Sequence, residues 1–250
     1  MDMQPLIIGE IGSFAHGLNR EDSDHDYIGI YADPPEALIG LKPLAGAIRD
    51  RDKPEGVKSE PGDSETQFYG LRKYVSLVCQ GNPTVMTLLF TPNLRSPDMI
   101  GLQANARMFL SKRLAARHMG YADSMYARLT GKKAPRTNRP ELIAKHGYDT
   151  KAAFHAVRLL MQGHEMLITH NMVMPMIEQE RGYLLSIRNG EVPEAEVLRE
   201  IEHWRSLIQA AEQRTTLPDG PDMERINAWL VGVHRELWGW NPILRDKLAA

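Results

Sequence analysis

Apolar and polar positions change rhythm partway along the chain. Leu6 to Ile11 is a short β-rich run that stops at Gly12-Ser13. Asp24 to Tyr31 alternates at the period of a strand, and Asp33-Pro34-Pro35 ends it. Glu36 to Leu41 fits a short helix or turn. Arg49 to Asp63, rich in charge, Pro and Gly, reads as a loop, and Glu65 to Tyr69 as another strand. Leu71 to Cys79 spaces its apolar residues as a helix does, up to Gly81-Asn82-Pro83, while Val85 to Phe90 suits either helix or strand. Past Pro97 strand signals disappear. Helical patterns cover Met99 to Leu129 (in more than one piece), Thr150 to His170, Met174 to Arg188, Pro193 to Arg214 and Pro221 to Trp238. Lys132 to Pro140 reads as a basic loop. The pattern predicts a strand-and-helix unit over residues 1–97 and an all-helical unit over 98–250, with the boundary within Thr91 to Asp98.

Bulk properties narrow the class. The chain has 250 residues, 42% hydrophobic and 25% charged, enough for one large core or two modest ones. A net charge of -2 excludes a uniformly basic nucleic-acid coat. The single cysteine, Cys79, excludes an intrachain disulfide and fits a reducing compartment. Apolar runs such as Leu88-Leu89-Phe90 fall far short of a bilayer span, and Met1-Asp2-Met3-Gln4 lacks the start of a signal peptide. The expectation is a cytoplasmic protein with no membrane partner. Charge is uneven, however. Between Met99 and Pro140 the only acid is Asp123, against Arg107, Lys112, Arg113, Arg117, Arg128, Lys132, Lys133, Arg136 and Arg139. Such a block suggests a locally held anion, and a solvated helix face with a loop explains it equally well.

The most informative chemistry is Gly12-Ser13, then ten residues, then Asp24-His25-Asp26. A glycine at a strand end lets backbone approach a ligand, and N–H groups with the Ser13 hydroxyl can hold phosphate oxygens. Asp24 and Asp26, two apart on a strand, project to one face. Carboxylates that close repel one another unless a cation sits between them, and Mg²⁺ (or Mn²⁺) suits oxygen donors plus phosphates. A two-metal site needs a third acid; Glu65 is the favoured candidate and Asp63, two residues earlier, the alternative.

Gly-Ser followed by Asp-x-Asp is the signature of the polymerase β-like nucleotidyltransferases. Gly12-Ser13-Phe14-Ala15-His16-Gly17-Leu18 with Ser23-Asp24-His25-Asp26-Tyr27-Ile28-Gly29-Ile30 resembles more closely the group that includes the RNA-ligase-associated polymerases of RNA repair. Leu71-Arg72-Lys73-Tyr74 to Gly81-Asn82-Pro83, and Lys145-His146-Gly147-Tyr148-Asp149-Thr150-Lys151 with His155 and Arg158-Leu159-Leu160, agree with that group; the likeness spans Ile8 to Leu167. It implies an α+β fold, a small mixed β-sheet flanked by helices with a helical domain closing over the nucleotide. It further implies Gly12, Ser13, Lys145, Tyr148, Lys151 and Arg158 at the nucleotide, and Asp24, Asp26 and Glu65 as catalytic metal ligands. The implied reaction moves NMP from an NTP to an acceptor with release of pyrophosphate. An RNA end is the favoured acceptor, ahead of a small alcohol or a protein hydroxyl; a silent binding module and a phosphohydrolase are the other classes. Two departures stand out. The third acid is Glu65 where such enzymes often carry Asp, and Thr87 stands where an acidic residue is expected after Asn82-Pro83.

Lys151, His155, Arg158, Gln162 and Glu165, spaced four, three, four and three apart, form one polar stripe on a helix. Lys and Arg there suit phosphate, Arg by bidentate grip and Lys as a point charge, whereas His155 could be a packing histidine. The thirteen methionines, Cys79, Trp229, Trp238 and Trp240 read as core rather than site. His16 and His25 flank the acids without the spacing of a zinc site.

Overall fold

The β-rich run at the N-terminus forms β1 (Pro5–Ile11), and α1 (Gly12–His16) follows it directly in this computed structural model. β2 (His25–Tyr31) returns antiparallel to β1, with Ile11 opposite Asp26 and Gly9 opposite Ile28. α2 (Pro35–Leu38) and β3 (Ile48–Arg51) then lead to β4 (Ser64–Gly70), which runs parallel to β2 with Asp26 opposite Glu65. α3 (Leu71–Cys79) and α4 (Pro83–Met86) precede β5 (Leu94–Ser96). The sheet is mixed, in the order β3-β4-β2-β1-β5. The structure describes residues 4–21, 23–52, 62–133, 137 and 139–240. The N-terminal tripeptide, most of the expected 49–63 loop and Arg136 lie outside the described residues.

Every described element after β5 is helical. These are α5 (Arg113–Leu129), α6 (Pro140–His146), α7 (Thr150–Thr169), α8 (Glu178–Asn189), α9 (Glu194–Arg214) and α10 (Met223–Leu237). α7 is the centre, packing against α5, α8 and α9. Gly163 makes the α5 contact close, since a Cβ there would sit 2.8 Å from His118 Cβ. Burial drives the His118 imidazole down to about 4, so it packs neutral, with Nδ1 bonded to the Leu114 carbonyl at 2.9 Å. One core runs from Ile7, Ile28 and Ile30 of the sheet to Leu160, Met166 and Ile201 of the helices. Beyond α10 the Trp238 indole returns to the sheet side, donating to the Asp33 carbonyl at 3.0 Å.

Several elements depart from the sequence reading for local reasons. β3 was expected to be loop; it is an edge strand, where charged residues such as Arg49 and Asp50 are tolerated. The helix expected from Met99 begins only at Arg113, after a 3-10 turn at Ala106–Phe109. The Asp98 carboxylate accepts from the N–H groups of Ile100, Leu102 and Gln103, and this competes with helical bonding. α6 was not expected: Pro140 opens it and Gly147, at φ 84, closes it. Thr87 is buried and its hydroxyl donates to the Pro83 carbonyl at 3.3 Å, so the departure from an acidic residue there is a core substitution. Cys79 is buried, which pushes its thiol up to about 11.

The start of α7 hangs on Asp149. Its buried carboxylate accepts from the Ala152 N–H at 3.0 Å, from the Thr137 hydroxyl and from Arg139 at 3.3 Å. Burial alone would raise this carboxyl, but Thr137, Ala152 and Arg139 together hold it below the usual carboxylate value. Its stabilisation is therefore present above the unfolded value and is lost as pH falls through the lower folded one. Asp149→Ala is expected to cost about 1–2 kcal/mol at neutral pH by urea denaturation. The difference from wild type should shrink in acid.

Candidate functional site

The turn from β1 into α1 is shaped by one close approach. Gly12 adopts φ +67, and a Cβ on it would lie 2.7 Å from Asp26 Oδ2. Only glycine satisfies both constraints at low cost. Ser13 follows at the start of α1, and Gly17, at φ 69, closes that single turn. Asp24 stands immediately before β2 and Asp26 within it. The parallel register with β4 sets Glu65 beside Asp26. Burial raises the Asp26 carboxyl first; repulsion from Glu65 and then Asp24 adds to it, while Lys151 and His25 oppose.

α7 faces this acidic edge and closes a cleft of about 250 Å³. Gly12, Ser13, Asp24 and Asp26 line one side, and Lys151, His155 and Arg158 the other. Gln162 continues the stripe but is buried. Its Nε2 lies 3.0 Å from His16 Nδ1, and its Oε1 accepts from Arg158 at 2.8 Å. Arg158 Nη1 also meets His16 Nε2 at 2.7 Å, which ties α1 to α7. Burial lowers Arg158 to about 10, so it stays charged at neutral pH. Burial, then Arg158 and Lys151, take His155 down to about 3, so its ring is neutral. The Lys151 ammonium is lowered by burial, then by Arg188 and Arg139, while Asp24 and Asp26 oppose that shift.

The expected residues do not all meet here. Glu65 is next to Asp26 along the sheet, yet its carboxylate pairs with Arg51 at 3.0 Å and Arg49 at 3.7 Å and does not line the cleft. Asp63 offers its backbone carbonyl to the His25 N–H at 2.9 Å. Tyr148 does not line the cleft. It is buried, burial pushes its hydroxyl up to about 12, and that hydroxyl donates to the Val192 carbonyl at 2.6 Å. Lys145 lies outside the cleft, in an adjoining lobe. Four members of the basic run from Arg107 to Arg139 have separate surroundings. Lys112 pairs with Asp219, Arg117 binds Gln80, Arg139 pairs with Asp149, and Arg107 lines a separate cavity. Arg20 and Arg188 line the cleft although no motif marked them. Arg20 lies in the stretch between Gly12-Ser13 and Asp24, and Arg188 in the last turn of α8, where a basic residue reads as a helix-end complement.

Among the described residues, no three Asp, Glu, His or Cys side chains converge as a metal site. Asp24 and Asp26 are nonetheless all-oxygen donors of the kind magnesium takes, and the missing Cβ at Gly12 leaves the approach to Asp26 Oδ2 open. The pair fits a divalent cation, and Glu65 as it stands does not complete the set. No described helix is long and apolar enough to cross a membrane.

Residues 4–232 match the model of the RNA repair pathway DNA polymerase beta family. No curated protein matches the chain. Among solved structures, a nucleotidyltransferase-like protein from Exiguobacterium sibiricum 255-15 is 11% identical, with 92% of this chain and 73% of that one covered and a TM-score of 0.29.

A raised Asp26 carboxyl means that folding disfavours its ionised form. That cost is absent below the ordinary carboxylate value and complete once the pH exceeds the folded value. Asp26→Asn is therefore expected to raise the Tm of the metal-free protein by a few degrees at neutral pH, with the gain fading in acid. Added Mg²⁺ should raise the Tm of wild type but not of the variant. A lower Tm for Asp26→Asn in metal-free buffer would contradict this account of the site.

Proposed function

Since the chain belongs to the RNA repair pathway DNA polymerase beta family, matched over residues 4–232, we propose that it transfers NMP from an NTP to an RNA end, releasing pyrophosphate. The observation that carries this reading is the cleft itself. Two carboxylates two residues apart face Lys151 and Arg158 across it, with Gly12 and Ser13 at the turn between. Anionic phosphates suit the basic wall, and a divalent cation suits the acidic one.

In this reading Ser13 and the adjoining backbone hold phosphate oxygens, and Lys151 and Arg158 take the β and γ phosphates. His16 and Gln162 hold the guanidinium of Arg158 in place. An acceptor hydroxyl attacks the α-phosphorus; the bond from that phosphorus to the oxygen bridging to the β-phosphate breaks, and pyrophosphate leaves. The proton of the hydroxyl passes to a carboxylate or water at the acidic edge. Asp24 and Asp26 would hold Mg²⁺ or Mn²⁺, which when bound neutralises phosphate charge and acidifies the attacking group. Glu65 would complete the set by turning away from Arg51 and Arg49.

Transfer from each of four α-³²P-labelled NTPs into RNA, with Mg²⁺ or Mn²⁺, tests the reading. Wild type is expected to label RNA, and Asp24→Ala to lose at least about 100-fold while remaining folded by circular dichroism. Label found instead on a small alcohol or on protein, or free phosphate in place of pyrophosphate, would overturn the RNA-end transfer. Gly12→Ala is expected to lose about 100-fold as well, because its Cβ displaces the Asp26 carboxylate.

A further inference from the structure

A second hollow opens beside the cleft. It has a volume of about 380 Å³ and is lined by Arg20, Leu142, Lys145, His146, Arg188 and Asn189. We propose that this basic lobe holds a phosphate group of the polynucleotide acceptor, next to the NTP. The inference rests on the RNA-end reading above and adds where the acceptor is gripped.

Among the described residues, no carboxylate lines the lobe, whereas the cleft next to it carries Asp24 and Asp26. A lining with three Arg and Lys side chains suits an anion. Arg20 and Arg188 line both hollows, so an anion in the lobe and a triphosphate in the cleft share a wall. The acceptor must lie beside the NTP, because its hydroxyl has to reach the α-phosphorus.

The lobe is also shaped locally. Arg20 belongs to a turn closed by its N–H donating to Ser23 Oγ at 2.8 Å and by the Ser23 N–H donating to its carbonyl at 3.1 Å. Asp24 follows that turn directly. Gly190 closes α8 at φ +77, and a Cβ on it would lie 2.1 Å from His146 Nδ1, so the end of α8 fits around the His146 ring. Arg188 reaches Thr150 at the start of α7 at 3.5 Å. Complementing helix ends accounts for Lys145, His146 and Arg188, which lie in the last turns of α6 and α8. Arg20 reaches the same lobe from the connection between α1 and β2. Lys151 in the cleft is itself lowered in part by Arg188, so positive charge is concentrated on the wall the two hollows share.

The test uses the full chain, a short fluorescein-labelled RNA and steady-state transfer with RNA and NTP varied separately. Lys145 is exposed, so Lys145→Ala and Lys145→Glu should fold. Both are expected to weaken RNA binding, Lys145→Ala by about tenfold at low salt. The slope of log Kd against log salt should fall by about 0.7, the loss of one single-strand phosphate contact. The KM for RNA should rise with it, the KM for NTP should stay within about twofold, and Lys145→Arg should restore most of the affinity. A variant that raises the KM for NTP and not that for RNA would assign the lobe to the triphosphate and overturn the proposal. If wild type labels RNA and the variants match it in both constants, the proposal fails while the RNA-end reading stands. If wild type labels no RNA at all, that reading fails and the proposal with it.

Discussion

The approach of Gly12 to the Asp26 carboxylate is the constraint on which the site depends. Ile11 pairs with Asp26 across β1 and β2, so the residue after Ile11 must leave the strand beside that side chain. A positive φ turns the chain there, and the absence of a Cβ makes room for the carboxylate. Both requirements fall on one residue, so the turn into α1 and the acidic strand have one geometry between them. The parallel register with β4 extends the edge by setting Glu65 beside Asp26.

The opposite wall depends on α7, and α7 depends on packing more than on propensity. Asp149 sets where the helix starts, and Gly163 lets it lie close against α5. Apolar residues such as Val157, Leu160 and Met166 fill the core, which leaves the stripe of Lys151, His155 and Arg158 directed at the acids. His16 then joins the walls, because its ring lies against both Arg158 and Gln162. A helix anchored along its length can hold an arginine in a half-buried position that an isolated surface helix would leave to solvent.

Much of this was legible in the sequence, where local physics dominates. The strand alternation, the Asp24 and Asp26 spacing and the stripe from Lys151 to Arg158 reflect periodicities of 2.0 or about 3.6 residues, and the Gly12-Ser13 break reflects the backbone freedom of glycine. Tertiary choices were not legible. Tyr148 sits in a segment shared with the family, yet its hydroxyl is used by the Val192 carbonyl, a contact between residues far apart in the chain. The basic run from Arg107 to Arg139 looks like one patch on paper. In the structure Lys112, just before α5, pairs with Asp219, and Arg117 on α5 binds Gln80. Arg20 and Arg188 carry no motif, and only the meeting of the β1–β2 connection with the end of α8 brings them to one wall. Charged edge residues hid β3, because an edge strand need not alternate.

Burial is the first cause of the shifts at the cleft, and like charge adds to it at Asp26 and Lys151. Asp26 is pushed toward its neutral form by burial and neighbouring acids, and Lys151 toward its neutral form by burial and neighbouring cations. Each is opposed by the other wall, but the cleft lies between them, and that separation leaves the attraction incomplete. Like charges are thus held together on each side by the rigid sheet and by α7, against their own repulsion. A ligand carrying phosphates to the basic wall and a cation to the acidic one would relieve both sides at once. The continuous core between sheet and helices meets the cost of holding those like charges together.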